Sequence, residues 1–369
     1  MNLKSLQLVN YRNFEDLQLE FSEKINCFIG NNGVGKTNIL DAIYNLSFTK
    51  SWLNPLDTQN IRYGQDFFLI KGKYLLADDD IEISCGLKRG KKKSFKKNGK
   101  EYGKLANHIG LIPLVTISPY DSNLILGGSE ERRKFIDGVI AQFDKDYLQA
   151  LIKYNRVLTQ RNKLLKQFAE QNIFEKDSLE VWNMQLVEYG TFIYNKRKKF
   201  LDELSPIFQK YYNFISNDNE NVQLDYRSQL TDNFKQLLEQ NLDKDRVLQY
   251  TSTGTHKDDL IFKLKEHPLK KNASQGQQKT YLIALKLAQF DYIKNISNTP
   301  PILLLDDIFD KLDSRRVEQI IKLVADRHFG QIFITDTNQE RLDKILNKIN
   351  INYKLFKINS EIEEIEKNF

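Results

Sequence analysis

The sequence predicts an α/β fold whose chain is interrupted by a helical lobe, and three observations lead to that prediction. Near the N-terminus, a glycine-rich loop lies between a short apolar strand and a helix, over residues 25–46. Near the C-terminus, a fully apolar strand ends in two aspartates, over residues 302–307. Between them, residues 132–242 carry apolar side chains at helical spacing. Fully apolar strands are typical of parallel sheets covered by helices on both faces, so the two end regions are expected to share one sheet.

Composition and charge limit the class of protein. The chain has 369 residues, of which 40% are hydrophobic and 28% charged, enough for a sizeable core in two or three lobes. Cys27 and Cys85 lie far apart in apolar runs, which argues against a disulfide framework or a cysteine zinc site and favours the reducing cytoplasm. We expect no signal peptide, because the N-terminus alternates polar and apolar residues and lacks an apolar h-region. We expect no membrane span and no membrane partner, because the longest apolar runs are of strand length. The formal charge of +6 permits an acidic partner without requiring one.

The first elements are two strands and a connection. Residues 2–9 and 17–21 alternate between polar and apolar side chains, which predicts half-buried strands. Arg12, in the connection over residues 11–14, is a candidate contact to a nucleotide phosphate; a solvated turn arginine is the equally weighted alternative. Residues 25–29 form the short apolar strand that leads into the glycine-rich loop.

That loop fits the phosphate-binding pattern G-x-x-x-x-G-K-[ST], with the residues Gly30, Asn31, Asn32, Gly33, Val34, Gly35, Lys36 and Thr37. Its glycines let the backbone turn tightly and aim successive N–H groups at phosphate oxygens. Lys36 is expected to reach the β- and γ-phosphates, and the Thr37 hydroxyl to bind Mg²⁺. The following helix presents its positive N-terminus to the anion. The sequence therefore predicts a site for ATP and Mg²⁺.

A basic segment follows over residues 88–100, with eight basic side chains and no acid. The turn signals Arg89-Gly90 and Asn98-Gly99 predict a β-hairpin, with Phe95 among the lysines. Such a ribbon can neutralise DNA phosphates, whereas the alternative is an edge hairpin that its lysines keep soluble. The candidate DNA-contacting residues are Lys91, Lys92, Lys93, Lys96 and Lys97.

The central region is predicted to be helical. After a helix capped by Ser129, the apolar spacing over 132–242 predicts two long helices with shorter ones, and we interpret its aromatic side chains as core. The heptads are too short for an extended coiled coil. Residues 222–226 and 259–264 are predicted strands that return to the main sheet. His256, just before the second strand, fits a structural histidine better than a catalyst.

Two features near the C-terminus complete a nucleotide site. Ser274-Gln275-Gly276-Gln277 opens a helix and presents a hydroxyl and N–H groups to an anion. The apolar strand over 302–305 ends in Asp306 and Asp307, at the sheet edge where ligands bind. We assign Asp306 to hydrated Mg²⁺, together with Thr37, and Asp307 to orienting the attacking water. The predicted catalytic residues are Lys36, Asp306 and Asp307.

The order of these motifs resembles that of ABC-type (SMC/Rad50 head-like) P-loop ATPases with an inserted helical lobe. In those heads the S-x-G-Q turn of one subunit binds the γ-phosphate held by another, which implies an ATP-dependent homodimer. The match to the RecF family extends over nearly the whole chain. It rests on residues 11–14, 30–38, Ser118-Pro119, Arg132-Arg133, Asp137, 254–259, 274–278 and 303–307.

The resemblance implies a cytoplasmic, weakly DNA-stimulated ATPase of recombinational repair, DNA replication and the SOS response. Such a protein binds DNA at single-strand gaps or junctions of single and double strands, dimerises on ATP and hydrolyses it slowly. It acts with the RecO and RecR proteins to help load recombinase. The nucleotide-binding residues carried over are Arg12, Gly30, Asn31, Asn32, Gly33, Val34, Gly35, Lys36, Thr37, Asn38, Ser274, Gly276 and Gln277.

The predicted domains are a head over 1–130 and 246–369 and an inserted lobe over 131–245. The chain departs from the family pattern at a few positions. Lys257 and Lys279 stand where arginine is expected, Tyr120 stands where an acid is usual, and Asp310-Lys311 replaces Ser-Glu. Lysine keeps the charge of arginine and loses its planar fork. These departures affect the expected DNA-facing and cross-subunit details rather than the ATP site.

Three other functions fit parts of the pattern. An SMC- or Rad50-type head carries far longer coiled-coil arms than the insertion predicted here. A transporter ATPase subunit needs a membrane partner, and its signature usually reads S-G-G-Q, unlike residues 274–277. The third is a binding protein that only clamps ATP, which the intact set of Lys36, Asp306 and Asp307 disfavours.

Overall fold

The chain forms two compact units in the computed structural model. The structure describes residues 1–77, 79–217, 220–230, 233–309, 314–325, 329–340, 342–343, 352–359 and 362–367. The first unit comprises Met1–Asp121, Tyr211–Asp218 and Lys279–Phe369, and the second comprises Ser122–Lys210 and Asn219–Gln278. The predicted division, with a lobe over 131–245, stays a prediction.

The β-strands of the described residues are β1 (Asn2–Tyr11), β2 (Phe14–Glu20), β3 (Ile25–Ile29), β4 (Phe67–Leu76), β5 (Asp79–Lys88), β6 (Ser94–Lys97), β7 (Lys100–Glu101), β8 (Leu114–Ile117), β9 (Val222–Arg227), β10 (Asp259–Leu264), β11 (His267–Pro268), β12 (Ile302–Asp306), β13 (Ile332–Asp336), β14 (Tyr353–Ile358) and β15 (Ile362–Lys367). The α-helices are α1 (Lys36–Phe48), α2 (Ser122–Leu126), α3 (Ser129–Ile140), α4 (Lys145–Gln171), α5 (Lys176–Ser216), α6 (Phe234–Gln240), α7 (Leu242–Leu248), α8 (Leu269–Asn272), α9 (Gln275–Ser297) and α10 (Ser314–Ala325).

The described residues of the first unit form two six-stranded sheets. One is antiparallel, in the order β2-β1-β4-β5-β6-β7. The other has the order β15-β14-β3-β13-β12-β8, and all its pairs are parallel except that of β14 with the edge strand β15. Helix α1 contacts both sheets, and its residues Ile39, Leu40, Ile43 and Leu46 are completely buried in the shared core.

The parallel sheet positions the candidate site. Every residue of β3, β12 and β13 is buried, as the fully apolar runs predicted. Because the strands run in parallel, the carboxyl ends of β3 and β12 lie at the same edge of the sheet. In the register, Asp306 of β12 is opposite Thr335 of β13, and Asp336 is opposite Ile29 of β3. This edge therefore carries both the glycine-rich loop and the two aspartates.

The second unit is built on two long helices, as predicted, α4 and most of α5. Its strands form a separate three-stranded antiparallel sheet in the order β11-β10-β9. The prediction that residues 222–226 and 259–264 return to the main sheet is therefore wrong. The alternating burial of β10 gives it one covered face and one solvated face, which suits a small antiparallel sheet.

Within the described part of the chain, we find no helix that is both long and apolar enough to cross a bilayer.

Candidate nucleotide-binding site

The loop over 30–35 joins β3 to α1, and its glycines are required by its geometry. Gly33 and Gly35 have φ values of 87° and 111°, a left-handed conformation that other residues rarely adopt. A Cβ on Gly35 would lie 2.3 Å from Asn13 Nδ2, and one on Gly30 would lie 2.3 Å from the Ile358 carbonyl oxygen. The loop therefore has no room for a side chain at its first or last residue, Gly30 and Gly35, which are both glycines of the sequence pattern.

Lys36 is the first residue of α1 and directly follows this loop. Its Nζ donates hydrogen bonds to the carbonyl oxygens of Gly30, at 2.6 Å, and Asn31, at 2.8 Å. Burial lowers the pKa of Lys36, and the nearby carboxylates of Asp307 and Asp306 oppose that shift. The ammonium is thus held by groups that an anionic ligand can replace.

Asp306 is almost completely buried beside two threonines. The Thr37 hydroxyl donates to its Oδ1 at 2.9 Å, and the Thr335 hydroxyl donates to the same oxygen at 2.7 Å. Burial raises the pKa of Asp306, while both hydroxyls favour the charged form. A hydroxyl and a carboxylate in contact are hard oxygen donors of the kind that Mg²⁺ prefers, so these residues fit the predicted ion.

Asp307 follows in an unusual backbone conformation, with φ at 47°. Its N–H donates to the Thr335 hydroxyl at 2.9 Å, so Thr335 joins the backbone of one aspartate to the side chain of the other. Aspartate tolerates the left-handed region better than most residues, and such strain is common where a side chain must be aimed. Sequence reasoning missed Thr335; its signal is the parallel register, which sets it opposite Asp306.

The glycine-rich loop and the two aspartates line one cleft. Its lining consists of Asn32, Gly33, Gly35, Lys36, Thr37, Asn38, Asp306, Asp307 and Thr335. All of these residues belong to the first unit. Lys36 and Asp306 are distant in sequence, so the fold brings together the groups that the motifs assigned separately.

The connection between β1 and β2 supports the loop through a residue that the sequence analysis did not select. Asn13 Nδ2 donates to the Val34 carbonyl oxygen at 2.8 Å, and Asn13 Oδ1 accepts from Asn38 Nδ2 at 2.7 Å. Asn38 therefore lines the cleft while its amide is bound to Asn13. Local sequence gives no signal for this contact, because it joins residues far apart in the chain.

Arg12 lies in an ion pair rather than in a solvated turn. Its Nη2 is 2.9 Å from Asp41 Oδ2 and donates to the Ser51 hydroxyl at 3.1 Å. Asp41 is completely buried and also accepts from the Tyr11 hydroxyl at 2.7 Å. The alternative of a solvated arginine is wrong, and a contact from Arg12 to phosphate stays a prediction.

The S-x-G-Q turn belongs to the second unit, where Ser274 precedes the first turn of α9. The Ser274 hydroxyl accepts from Gln277 N at 3.2 Å, and Ser274 N donates to Gln277 Oε1 at 2.9 Å, the reciprocal pair of a capping box. The Ser274 residue is exposed, and a hydroxyl that accepts one bond still has its proton to donate. Gly276 and Gln277 are half-buried beside it.

The basic hairpin is confirmed as β5, β6 and β7, but its lysines are not equivalent. Lys93 Nζ is 2.5 Å from Asp57 Oδ2 and donates to the Thr49 carbonyl oxygen at 2.7 Å. Phe95 points into the core, and Lys96 and Lys97 beside it are half-buried. The exposed members of the candidate set are Lys91 and Lys92.

Three of the departures from the family pattern lie among the described residues. Tyr120 is 56% exposed, and Lys257 Nζ lies 4.9 Å from the centre of the Tyr250 ring. Lys279 is half-buried in α9. Asp310-Lys311 and the following Leu312-Asp313 lie outside the described residues.

Comparison with known proteins decides the family. Residues 2–362 match the family model described as RecF/RecN/SMC N terminal domain. A DNA replication and repair protein RecF of Bacteroides fragilis (strain YCH46) is 53% identical over 373 residues, with 100% of both chains covered. The chain belongs to the RecF family. A RecF of Flavobacterium johnsoniae is 52% identical, with 97% of this chain and 100% of that protein covered.

Solved structures agree with this membership. The recombination mediator protein RecF with ATP, of the RecFOR pathway, has a TM-score of 0.89 at 29% identity, with 99% of this chain and 97% of that chain covered. An Smc head domain from Pyrococcus furiosus has a TM-score of 0.58 at 15% identity, with 100% and 96% covered, and shows the shared fold alone. The ABC-type ATPase head fold is thereby confirmed, and a transporter ATPase subunit is no longer a competing assignment.

Proposed function

We propose that this RecF-family protein is a slow, DNA-stimulated ATPase of recombinational repair and replication that binds DNA while two copies hold ATP between them. It acts at single-strand gaps or at junctions of single and double strands, with the RecO and RecR proteins, to help load recombinase. The observation that carries the proposal is the contact of the Thr37 hydroxyl with Asp306 beside Lys36, at one edge of a parallel sheet.

The loop residues are proposed to bind the nucleotide. The backbone N–H groups over 30–37 would hold the phosphates, and Lys36, which donates to Gly30 and Asn31 here, would donate to phosphate oxygens instead. Thr37 and Asp306 hold Mg²⁺, which neutralises phosphate charge when bound. The raised pKa of Asp306 supports this role, because a buried carboxylate gains most from a nearby cation.

Asp307 is proposed to orient and polarise the water that attacks the γ-phosphate. Its backbone is fixed by the hydrogen bond to Thr335 and by the left-handed φ. Fixing the backbone limits the positions that its carboxylate can take, which is what positioning a water requires. Slow turnover is the behaviour that the resemblance implies, and the geometry of one unit does not set a rate.

The second half of each ATP site is proposed to come from another copy of the chain. The exposed Ser274 and the half-buried Gly276 and Gln277 lie at a helix start in the second unit, whereas the cleft of Lys36 lies in the first. A helix N-terminus and a free hydroxyl proton suit a γ-phosphate. Two copies related by a twofold axis then share two ATP molecules, each bound by Lys36 of one copy and Ser274 of the other.

DNA binding is supported by the exposed lysines of the hairpin and by the DNA replication and repair names of the relatives. The RecFOR pathway of the structural relative supports RecO and RecR as partners. Lys91 and Lys92 are the strongest of the five candidate contacts, because both are exposed. Lys93 contributes least, since Asp57 already neutralises it.

The test is binding of a gapped duplex, followed by fluorescence anisotropy at fixed salt, with ATP, with ADP and without nucleotide. We expect ATP with Mg²⁺ to raise the affinity at least tenfold over ADP in the wild type. Lys36→Ala should bind DNA equally under all three conditions, because it lacks the charge that binds the β- and γ-phosphates. Wild-type affinity that does not depend on the nucleotide would contradict the proposal.

A further inference from the structure

Two tight turns lie side by side at one end of the antiparallel sheet. The first is closed by Gln65 N donating to the Arg62 carbonyl oxygen at 3.0 Å, and the second by Lys91 N donating to that of Lys88 at 3.0 Å. Gly64 and Gly90 occupy equivalent places in them, with φ values of 79° and 70°. Both turns are therefore well defined by backbone geometry alone.

Arg89 ties the two turns together. Its backbone N donates to the Asp66 carbonyl oxygen at 2.8 Å, and its Nε donates to that of Gln65 at 3.3 Å. Phe67, the first residue of β4, is opposite Lys88, the last residue of β5, in the strand register. Side chains from both turns consequently share one surface, which is entirely within the first unit.

This surface exposes aromatic rings that proteins normally bury. Tyr63 is 99% exposed and Phe67 is 42% exposed, and neither contributes to the core of the unit. Four exposed cations lie in or next to the second turn, and no carboxylate of the described residues, including the exposed Asp66 between Tyr63 and Phe67 in the sequence, forms an ion pair with any of the four. We call this surface the twin-turn patch, and it consists of Tyr63, Phe67, Lys88, Arg89, Lys91 and Lys92.

We infer that the twin-turn patch binds the unpaired strand of a nucleic acid, with a base stacked on Tyr63 and the flanking phosphates on the basic side chains. The inference rests on the proposed DNA binding and specifies which part of the DNA this surface contacts. Lysine and arginine neutralise phosphates of either form of DNA, but a fully exposed ring finds a free partner only among unpaired bases. Duplex bases are already stacked on their neighbours.

The first arm of the test removes the ring. Tyr63→Ala should weaken binding of an oligo-dT strand about tenfold and leave the affinity for a blunt duplex of equal length unchanged. Tyr63→Phe should bind both as the wild type does, because it keeps the ring. A 2-aminopurine base in the single strand should be quenched by the wild type and by Tyr63→Phe, but not by Tyr63→Ala.

The second arm removes charge. Lys91→Gln with Lys92→Gln should weaken binding of both DNAs and lower the salt slope for the single strand by about 1.4, the value for two phosphate contacts. The matched control is Lys73→Gln with Lys100→Gln. These exposed lysines lie toward the other end of the same sheet. In the strand register, Lys73 is opposite Glu82 and Lys100 is opposite Lys97. The control should keep the wild-type salt slope.

The outcomes separate this inference from the proposed function. Single-strand affinity and quenching that are unchanged in Tyr63→Ala would overturn the stacking inference, even if DNA binding itself stands. If Lys91→Gln with Lys92→Gln loses no more single-strand affinity than the control Lys73→Gln with Lys100→Gln, the assignment of the patch is overturned. A wild-type protein that binds neither DNA, with ATP present, would instead reject the proposed DNA binding. All the substituted side chains are exposed, so unchanged thermal unfolding is the expected control result.

Discussion

At the scale of the residue, the candidate site is organised around a carboxylate that the fold holds in a costly position. Asp306 is 3% exposed, and burial without a cation disfavours its charged form. Two threonine hydroxyls offset part of that cost, one from α1 and one from β13. The proposed Mg²⁺ would offset the rest of that cost, because a divalent cation stabilises a buried carboxylate more than hydroxyls can.

Asp307 and Lys36 are expected to fail in different ways when they are changed. Asp307→Asn should keep ATP affinity within about threefold and lower the hydrolysis rate at least about tenfold, because the amide cannot act as a base toward water. Asparagine also tolerates left-handed φ, so the change removes charge without adding strain at φ 47°. Lys36→Ala should instead lose tight ATP binding.

The measurement is equilibrium binding of a fluorescent ATP analogue together with steady-state phosphate release. If Asp307→Asn releases phosphate at the wild-type rate, the assignment of the water-orienting residue is wrong. If Lys36→Ala retains wild-type affinity, the loop does not bind the β- and γ-phosphates as proposed.

Single residues of the site differed in how far the sequence could predict them. Lys36, Thr37 and Asp306 follow from motifs whose spacing is set by phosphate and metal geometry. Asn13 and Thr335 could not be found in that way, because their roles come from contacts across the fold. Whether a basic side chain has an ion-pair partner also depends on contacts that form only in the folded chain.

At the scale of the element, a buried ion network joins the helices of the second unit to its small sheet. Arg197 of α5 pairs with Asp137 of α3 at 2.9 Å and with Asp258, before β10, at 3.2 Å. Its Nη1 also donates to the Thr255 carbonyl oxygen at 2.8 Å. Thr255 and Asp258 of the family motif over 254–259 are thus buried in this unit, where a broken pair would leave a buried charge.

His256 belongs to the same motif and supports the interpretation as a structural histidine. Its Nε2 is 3.0 Å from the Thr251 carbonyl oxygen and its Nδ1 is 2.8 Å from the Tyr154 hydroxyl. A neutral ring satisfies both, donating to Thr251 and accepting from Tyr154. Burial, with the nearby cations Lys257 and Arg133, lowers the pKa of His256 to about 4.

This shift predicts a pH dependence of stability. The folded pKa lies below the unfolded value of about 6.5, so the unfolded chain binds more protons between those two values. The stability that neutral His256 contributes is present above pH 6.5 and is lost as the pH falls toward 4. Between pH 7 and pH 5 the loss from this residue should reach up to about 2 kcal/mol.

Urea unfolding at several pH values, compared between wild type and His256→Gln, checks this prediction. Glutamine does not titrate, so the variant should lose less stability between pH 7 and pH 5 than the wild type. Parallel stability curves for the two proteins would mean that His256 titrates alike in the folded and unfolded chain.

The elements that the sequence predicted best are those with a simple hydrophobic pattern along their whole length. The long helices α4 and α5 follow from apolar spacing, and β3, β12 and β13 from unbroken apolar runs. The pairing of β9 with β10 was missed, because a half-buried strand carries no information about which sheet it joins. Strand β14 was also missed: its buried Lys354, which pairs with Glu364 at 2.8 Å, masks its burial in the sequence.

At the scale of the whole molecule, the proposed ATP site is complete only when two copies meet. ATP should therefore drive dimerisation and ADP should not, because a ligand shifts an assembly only through contacts that differ between its states. Ser274→Arg places bulk and charge at the exposed turn in the second unit. It changes no residue of the nucleotide cleft, which belongs to the first unit.

Mixing two defective chains tests the sharing of residues. A heterodimer of Ser274→Arg with Lys36→Ala has one site formed by intact Lys36 of the first chain and intact Ser274 of the second. We expect hydrolysis in the mixture to exceed the sum of the separate chains if one site suffices for turnover. A mixture no more active than its parts would mean that both sites are needed or that none is shared.

The most direct measurement avoids that ambiguity: sedimentation velocity of Ser274→Arg alone, with ATP and Mg²⁺, beside the wild type. The matched control is Ser297→Arg, the same change at an exposed serine at the other end of α9. We predict that wild type and Ser297→Arg sediment as dimers with ATP and as monomers with ADP. Ser274→Arg should still bind ATP and remain a monomer. An ATP-dependent dimer of Ser274→Arg as strong as that of the wild type would contradict the composite site.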